Sequence, residues 1–219
     1  MRNSIWRDED GADVGVDEIL AENLLILGNA GSGKTSACRS FARATSDLGW
    51  DVRYLNLSGH PDAPVTEIET SEPIVGAEFM AAAVADVAAR QRLADPWTGS
   101  RNPQFAPTLV IVDGFSGALP RLWDDDEDTN EIVAARALIV RSAIAIAAAD
   151  PKLNTRLVLT AQRTAGWGPS TGARHLTREL ARLTLSPHRS TAMFQRADGS
   201  TRAFLIPVLE PVQSKPARW

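Results

Sequence analysis

The chain has 219 residues, 44% of them hydrophobic, a net charge of −4 and a single cysteine. That length supplies one full hydrophobic core, the lone Cys38 excludes an internal disulfide framework, and His60, His175 and His188 are too scattered to complete a zinc site with it. The modest negative charge also argues against wholesale electrostatic wrapping of nucleic acid, although residues 161–219 hold nine Lys/Arg against three Asp/Glu and form a basic end.

The opening segment from Met1 to Asp8 lacks the apolar stretch of a secretory signal, and the long apolar run from Ile132 to Ala149 is interrupted by Arg136 and Arg141. These features predict a soluble, cytoplasmic protein with no membrane segment. A β-prone run, Asn23–Leu27, is followed by a glycine-rich loop and a helix from Lys34 to about Leu48, closed by Gly49. A strand over Asp51–Leu57 and an alanine-rich helix over about Ala77–Leu93 come next. Thr108–Val112 is continuous and β-branched, the pattern of a central strand covered on both faces, and it ends at Asp113.

The acidic run 124–128 reads as a solvated loop, because five adjacent carboxylates repel one another. A helix follows from Thr129 or Asn130 to about Ala149, where Asp150-Pro151 stops it. Arg156–Thr160 makes a further core strand running into Ala161-Gln162-Arg163. Beyond a polar loop, the spacing predicts a short helix over Leu176–Leu183. Two β-prone runs, Ser190–Gln195 and Thr201–Ile206, then flank the turn signal Asp198-Gly199. Strands alternating with helices predict an α/β fold with a mainly parallel central sheet, helices on both faces and a C-terminal β-hairpin, and the segment Gly28–Thr35 between the first strand and helix makes it a RecA-like P-loop domain. Residues 1–206 are expected to form one domain, with 1–22 as a lead-in segment and 207–219 as a proline-containing tail.

The chemistry concentrates in Gly28-Asn29-Ala30-Gly31-Ser32-Gly33-Lys34-Thr35, a phosphate-binding loop placed directly between a strand and a helix. Glycines let the backbone curl with its N–H groups inward, and with the helix N-terminus through Ser36 they form an anion cradle. Lys34 is expected to reach the β- and γ-phosphates of ATP, and Thr35 to offer its hydroxyl to Mg²⁺. Asp113, at the C-terminal end of a buried strand, is expected beside the loop, holding Mg²⁺ through water. No motif reads adenine over guanine.

In order, these residues resemble the motor domain of the FtsK/SpoIIIE DNA translocases within the HerA/FtsK group. The resemblance runs from the lead-in Asp8–Leu20, with its glycine-centred turn, through the phosphate loop and Asp86-x-x-x-Arg90, to Arg101-Asn102 and Asp113. It ends with Leu157–Arg163, which is similar to a strand ending in a Thr-Gln-Arg sensor. The resemblance implies that Gln162 senses the γ-phosphate or positions water, that Arg163 couples nucleotide state to substrate, and that the protein forms a hexameric ring around DNA. Trp167 and Arg174, in the polar loop, are candidate DNA contacts by stacking and by charge.

One position departs from the pattern. The family usually follows the strand-end Asp with a Glu that activates water, and this chain has Gly114. Glu78, Asp124 or a neighbouring subunit's residue would have to substitute; otherwise nucleotide binds and hydrolyses slowly, as in a regulatory subunit of a secretion or conjugation complex. On that reading, Glu introduced at 114 should raise hydrolysis. A small-molecule kinase is disfavoured by the Gln-Arg strand end and the lack of an arginine-rich lid.

Overall fold

Alternation along three apolar strands explains the two-faced architecture in the computed structural model. In β3 (Leu24–Leu27), Leu24 and Ile26 point to one side and Leu25 to the other; in β6 (Thr108–Asp113), Leu109 and Ile111 oppose Val110 and Val112. β7 (Thr155–Ala161) does the same, with Val158 opposing Leu157 and Leu159. A strand buried on both faces needs a helical layer on each, and the chain provides them. The structure describes residues 4–57, 67–69, 72–95, 104–119, 130–162, 176, 178–186 and 191–205.

One layer is α2 (Lys34–Asp47), whose Ala37, Cys38, Phe41 and Ala42 are buried against the Leu24, Ile26 and Ile111 face. The other is the pair α3 (Pro73–Ala94) and α4 (Asn130–Ala147), packed on each other and on the Leu25, Val110 and Leu157 face through Met80, Ala83, Ile139 and Ala143. Pro73 stands at the first position of α3, where its missing N–H costs nothing, so the helix begins a turn before Ala77.

The sheet has ten strands among the described residues. Besides those above they are β1 (Ser4–Asp8), β2 (Asp13–Gly15), β4 (Asp51–Asn56), β5 (Glu67–Glu69), β8 (Ala181–Leu185), β9 (Thr191–Gln195) and β10 (Thr201–Leu205). Their order is β2-β1-β10-β9-β8-β3-β7-β6-β4-β5. The half from β8 to β5 is parallel throughout, and the half from β2 to β8 is antiparallel, so the sheet is mixed. β9 and β10 pair antiparallel around Asp198-Gly199, and β10 continues the sheet to β1, which turns at Gly11 into β2 and the single helical turn α1 (Val16–Ile19).

One expectation is corrected here. The helix expected over Leu176–Leu183 is not formed over its second half: Leu176, Arg178 and Glu179 are helical and Leu180 donates its N–H to the Leu176 carbonyl, but Ala181–Leu185 is β8, parallel to β3. Leu176, Leu180 and Leu183 mimic a helical stripe, yet Leu176 and Leu180 face the α3/α4 layer while Ala181, Leu183 and Leu185 alternate onto the α2 face.

Candidate nucleotide site

The parallel register brings three strand ends together. β7 lies between β3 and β6, with Leu27 opposite Ala161 and Val112 opposite Leu159, so the glycine loop, Gln162 and Asp113 leave the sheet at the same edge. Ligands in open parallel sheets bind at this carboxyl edge. A cleft of about 770 Å³ opens there.

Its floor is the phosphate loop. Gly28 is a glycine for steric reasons: a Cβ would lie 2.2 Å from Ser32 Oγ and 3.1 Å from the Leu185 carbonyl oxygen. Gly31 and Gly33 take φ of 75° and 89°, the left-handed region open to glycine, and Gly33 is the N-cap of α2 without any side-chain cap. The first-turn N–H groups of α2 thus stay free of a capping side chain, beside the positive end of the helix dipole. Ala30, Gly31, Gly33, Lys34, Thr35 and Ser36 line the cleft. Gly28 lies buried beneath it, Asn29 contributes a carbonyl to Lys34, and Ser32 turns inward, its buried Oγ lacking a hydrogen-bond partner.

Lys34 folds back on the loop, where its ammonium donates to the Gly28 and Asn29 carbonyls, 2.8 Å each. Burial pushes its pKa below the ordinary lysine value, while Asp113 and Cys38 oppose the shift. Across the cleft, Asp113 is 2% exposed. Thr160 Oγ1 donates to its Oδ1 at 2.6 Å and the Tyr54 hydroxyl donates to its Oδ2 at 3.2 Å. Thr160 in turn accepts the Gly114 N–H at 2.7 Å, and Ser116 Oγ accepts the Gln162 N–H at 3.2 Å. Thr160 belongs to the strand that resembles the Thr-Gln-Arg sensor, but its bond to Asp113 was not expected, and neither Tyr54 nor Ser116 stands out by motif, because strand register and the turn after Asp113 bring them there.

Gly114 has φ 82° and ψ 25° and starts a 3₁₀ turn, Phe115–Ala118. A Glu at this position would be strained, so the departure from the family pattern is built into the backbone. Among the described residues of the cleft wall Asp113 is the sole carboxylate, and Glu78 lies exposed on α3, away from that wall. Asp86 and Arg90 form an ion pair at 3.0 Å at the other end of the sheet, where Arg90 also donates to Thr108 Oγ1 and to the Ala106 and Leu153 carbonyls. That pair fastens α3 to the strand starts. Arg163, Trp167, Arg174, Arg101, Asn102 and the acidic run 124–128 lie outside the described residues.

The donor set suits a polyphosphate with a hard cation: first-turn amides, an ammonium and the Thr35 hydroxyl on the loop side, a carboxylate across from them, and an orphaned serine hydroxyl in the loop. No protein-family model matches the sequence, and no curated protein matches it. Solved structures do. The pCW3 conjugation coupling protein TcpA, in monomer form with ATPγS, superposes with a TM-score of 0.71 at 12% identity, over 94% of this chain and 66% of that one. The chain shares the α/β fold of that coupling protein.

The cytoplasmic domain of the Thermomonospora curvata type VII secretion ATPase EccC gives a TM-score of 0.63 at 17% identity, over 94% of this chain and 29% of that one. EssC from Geobacillus thermodenitrificans gives 0.56 at 16%, over 93% and 44%. These neighbours accord with the FtsK/SpoIIIE resemblance, and the chain spans less than two thirds of each. No helix among the described residues is long and apolar enough to cross a membrane.

Proposed function

We propose that the chain binds Mg·ATP in this cleft and couples ATP hydrolysis to translocation or transfer of DNA. The observation that carries the reading is the convergence of Lys34, Thr35, Asp113 and Gln162 on one cleft at the carboxyl edge of the sheet. In this assignment the loop amides and Lys34 take the β- and γ-phosphates, and Thr35 with Asp113, the latter through water, holds Mg²⁺. The cation would neutralise phosphate charge. Gln162 orients the attacking water with an amide that does not titrate. Tyr54 and Thr160 hold the Asp113 carboxylate in one orientation, which favours a fixed site over a mobile one.

The DNA half of the proposal rests on the family resemblance, on the relation in fold to a conjugation coupling protein, and on the basic end of the sequence. Arg163, Trp167 and Arg174 are its proposed contacts, a homo-oligomeric ring its proposed assembly, and residues 1–206 its proposed motor domain. The basic end is not wholly available for this, since Arg202 is paired with Asp8 and Glu18.

A second reading has its own support. With Gly114 in the left-handed region and Asp113 as the sole carboxylate on the described cleft wall, a subunit that binds nucleotide and hydrolyses it slowly also fits. Phosphate release measured with and without duplex DNA separates the two. A rate that rises with DNA and vanishes in Lys34→Ala supports the motor; tight nucleotide binding with a flat, slow rate supports the regulatory subunit and sinks the motor.

A further inference from the structure

Arg39 lines the same cleft from α2, and its Nε and Nη2 are buried without a hydrogen-bond partner. A guanidinium stays charged at any accessible pH, and buried donors left unpaired are costly. The obvious counter-ion is already committed, because Asp113 accepts from Thr160 and Tyr54. The described wall of the cleft offers no second carboxylate. A guanidinium with two unsatisfied nitrogens, held in a cleft whose other donors suit an anion, calls for an acceptor from outside the chain.

Helix geometry says which part of the ligand that is. Arg39 stands four residues after Thr35 and three after Ser36, so it shares their face of α2, one turn further from the loop. Side chains on a helix lean toward its N-terminus, which directs the guanidinium back toward the phosphates. In the proposed assignment Lys34 and Asp113 take the β/γ end of the nucleotide, which leaves Arg39, one turn along α2, for the nucleoside side. We infer that Arg39 is a nucleotide-binding residue that pairs with the α-phosphate, recognising nucleoside di- and triphosphates alike. The inference rests on the proposed nucleotide site and adds to it a second cation acting in cis.

The test is calorimetric titration of the full chain and of Arg39→Met with Mg·ATP, Mg·ADP, AMP and adenosine, alongside the melting temperature of the ligand-free proteins. Loss of a charge-assisted pair predicts about 10- to 100-fold weaker binding of ATP and ADP by the same factor. Arg39→Lys, which keeps the charge and guards against a folding failure in the first variant, should retain part of the affinity. Since Met replaces a half-buried guanidinium with two unpaired nitrogens by an apolar chain of similar shape, the ligand-free melting temperature should hold or rise. Unchanged affinity, a loss confined to ATP, an equal loss for adenosine, or a fall in melting temperature matching the fall in affinity would each overturn the assignment. Should the wild-type chain bind neither nucleotide, the nucleotide site itself fails, an outcome distinct from a wild type that binds and a variant that binds equally well.

Discussion

Thr160 shows how much one side chain can organise. Its hydroxyl donates to Asp113 and accepts from Gly114, so it links the carboxylate to the backbone of the turn that follows it. Thr160→Val keeps the shape, removes both bonds and strands a buried carboxylate oxygen; it should destabilise the protein by about 1–3 kcal/mol in denaturant unfolding. A neutral result would mean the network is not formed in solution. At Gly114, any Cβ meets the left-handed backbone, and Gly114→Ala should cost about 1–2 kcal/mol in the same assay. Glu at 114 bears that strain too, so a gain in hydrolysis from Gly114→Glu is not the expected outcome: the variant should be less stable, with phosphate release no faster than wild type.

The lead-in is held to the hairpin by a cluster in which Arg202 pairs with both Asp8 and Glu18, and Asp8 also accepts the Ala12 N–H at 2.7 Å. The side-chain hydrogen bond from Arg202 lowers the pKa of Asp8, with the Ala12 bond acting in the same direction. A depressed carboxylate pKa stabilises the folded state above its unfolded value, and that contribution is lost as pH falls through the folded one, below about pH 4. The protection of the β1 amides, expressed relative to their intrinsic exchange rates, should therefore fall on acidification, and Arg202→Ala should remove that pH dependence; an unchanged profile in the variant would show that the cluster does not anchor the strand.

Elements defined by their own periodicity were legible: β3, β6 and β7 as apolar runs, α2 and α4 as bounded helices, and the glycine loop between strand and helix. β8 was not, because Leu176, Leu180 and Leu183 fall at helical spacing while the pairing with β3 that makes residues 181–185 a strand is a non-local fact. The same limit applies to the site. Lys34 and Asp113 stand out by motif, whereas Tyr54, Ser116 and Arg39 enter only when register and helix face bring them to the cleft. β5, three residues long, carries too little pattern to be seen.

At the scale of the molecule, a parallel half-sheet builds the cleft and an antiparallel half braces it from the β8 side. Among the described residues the two apolar layers meet only through the sheet, so whatever bends β6 or β7 shifts Asp113 and Gln162 relative to the loop on β3. The most direct measurement is hydrogen exchange at the amides of residues 29–36, with and without millimolar Mg·ATP. Marked slowing in the wild-type chain and none in Lys34→Ala is the predicted result. Exchange unaltered by nucleotide in the wild type would contradict the phosphate-cradle account.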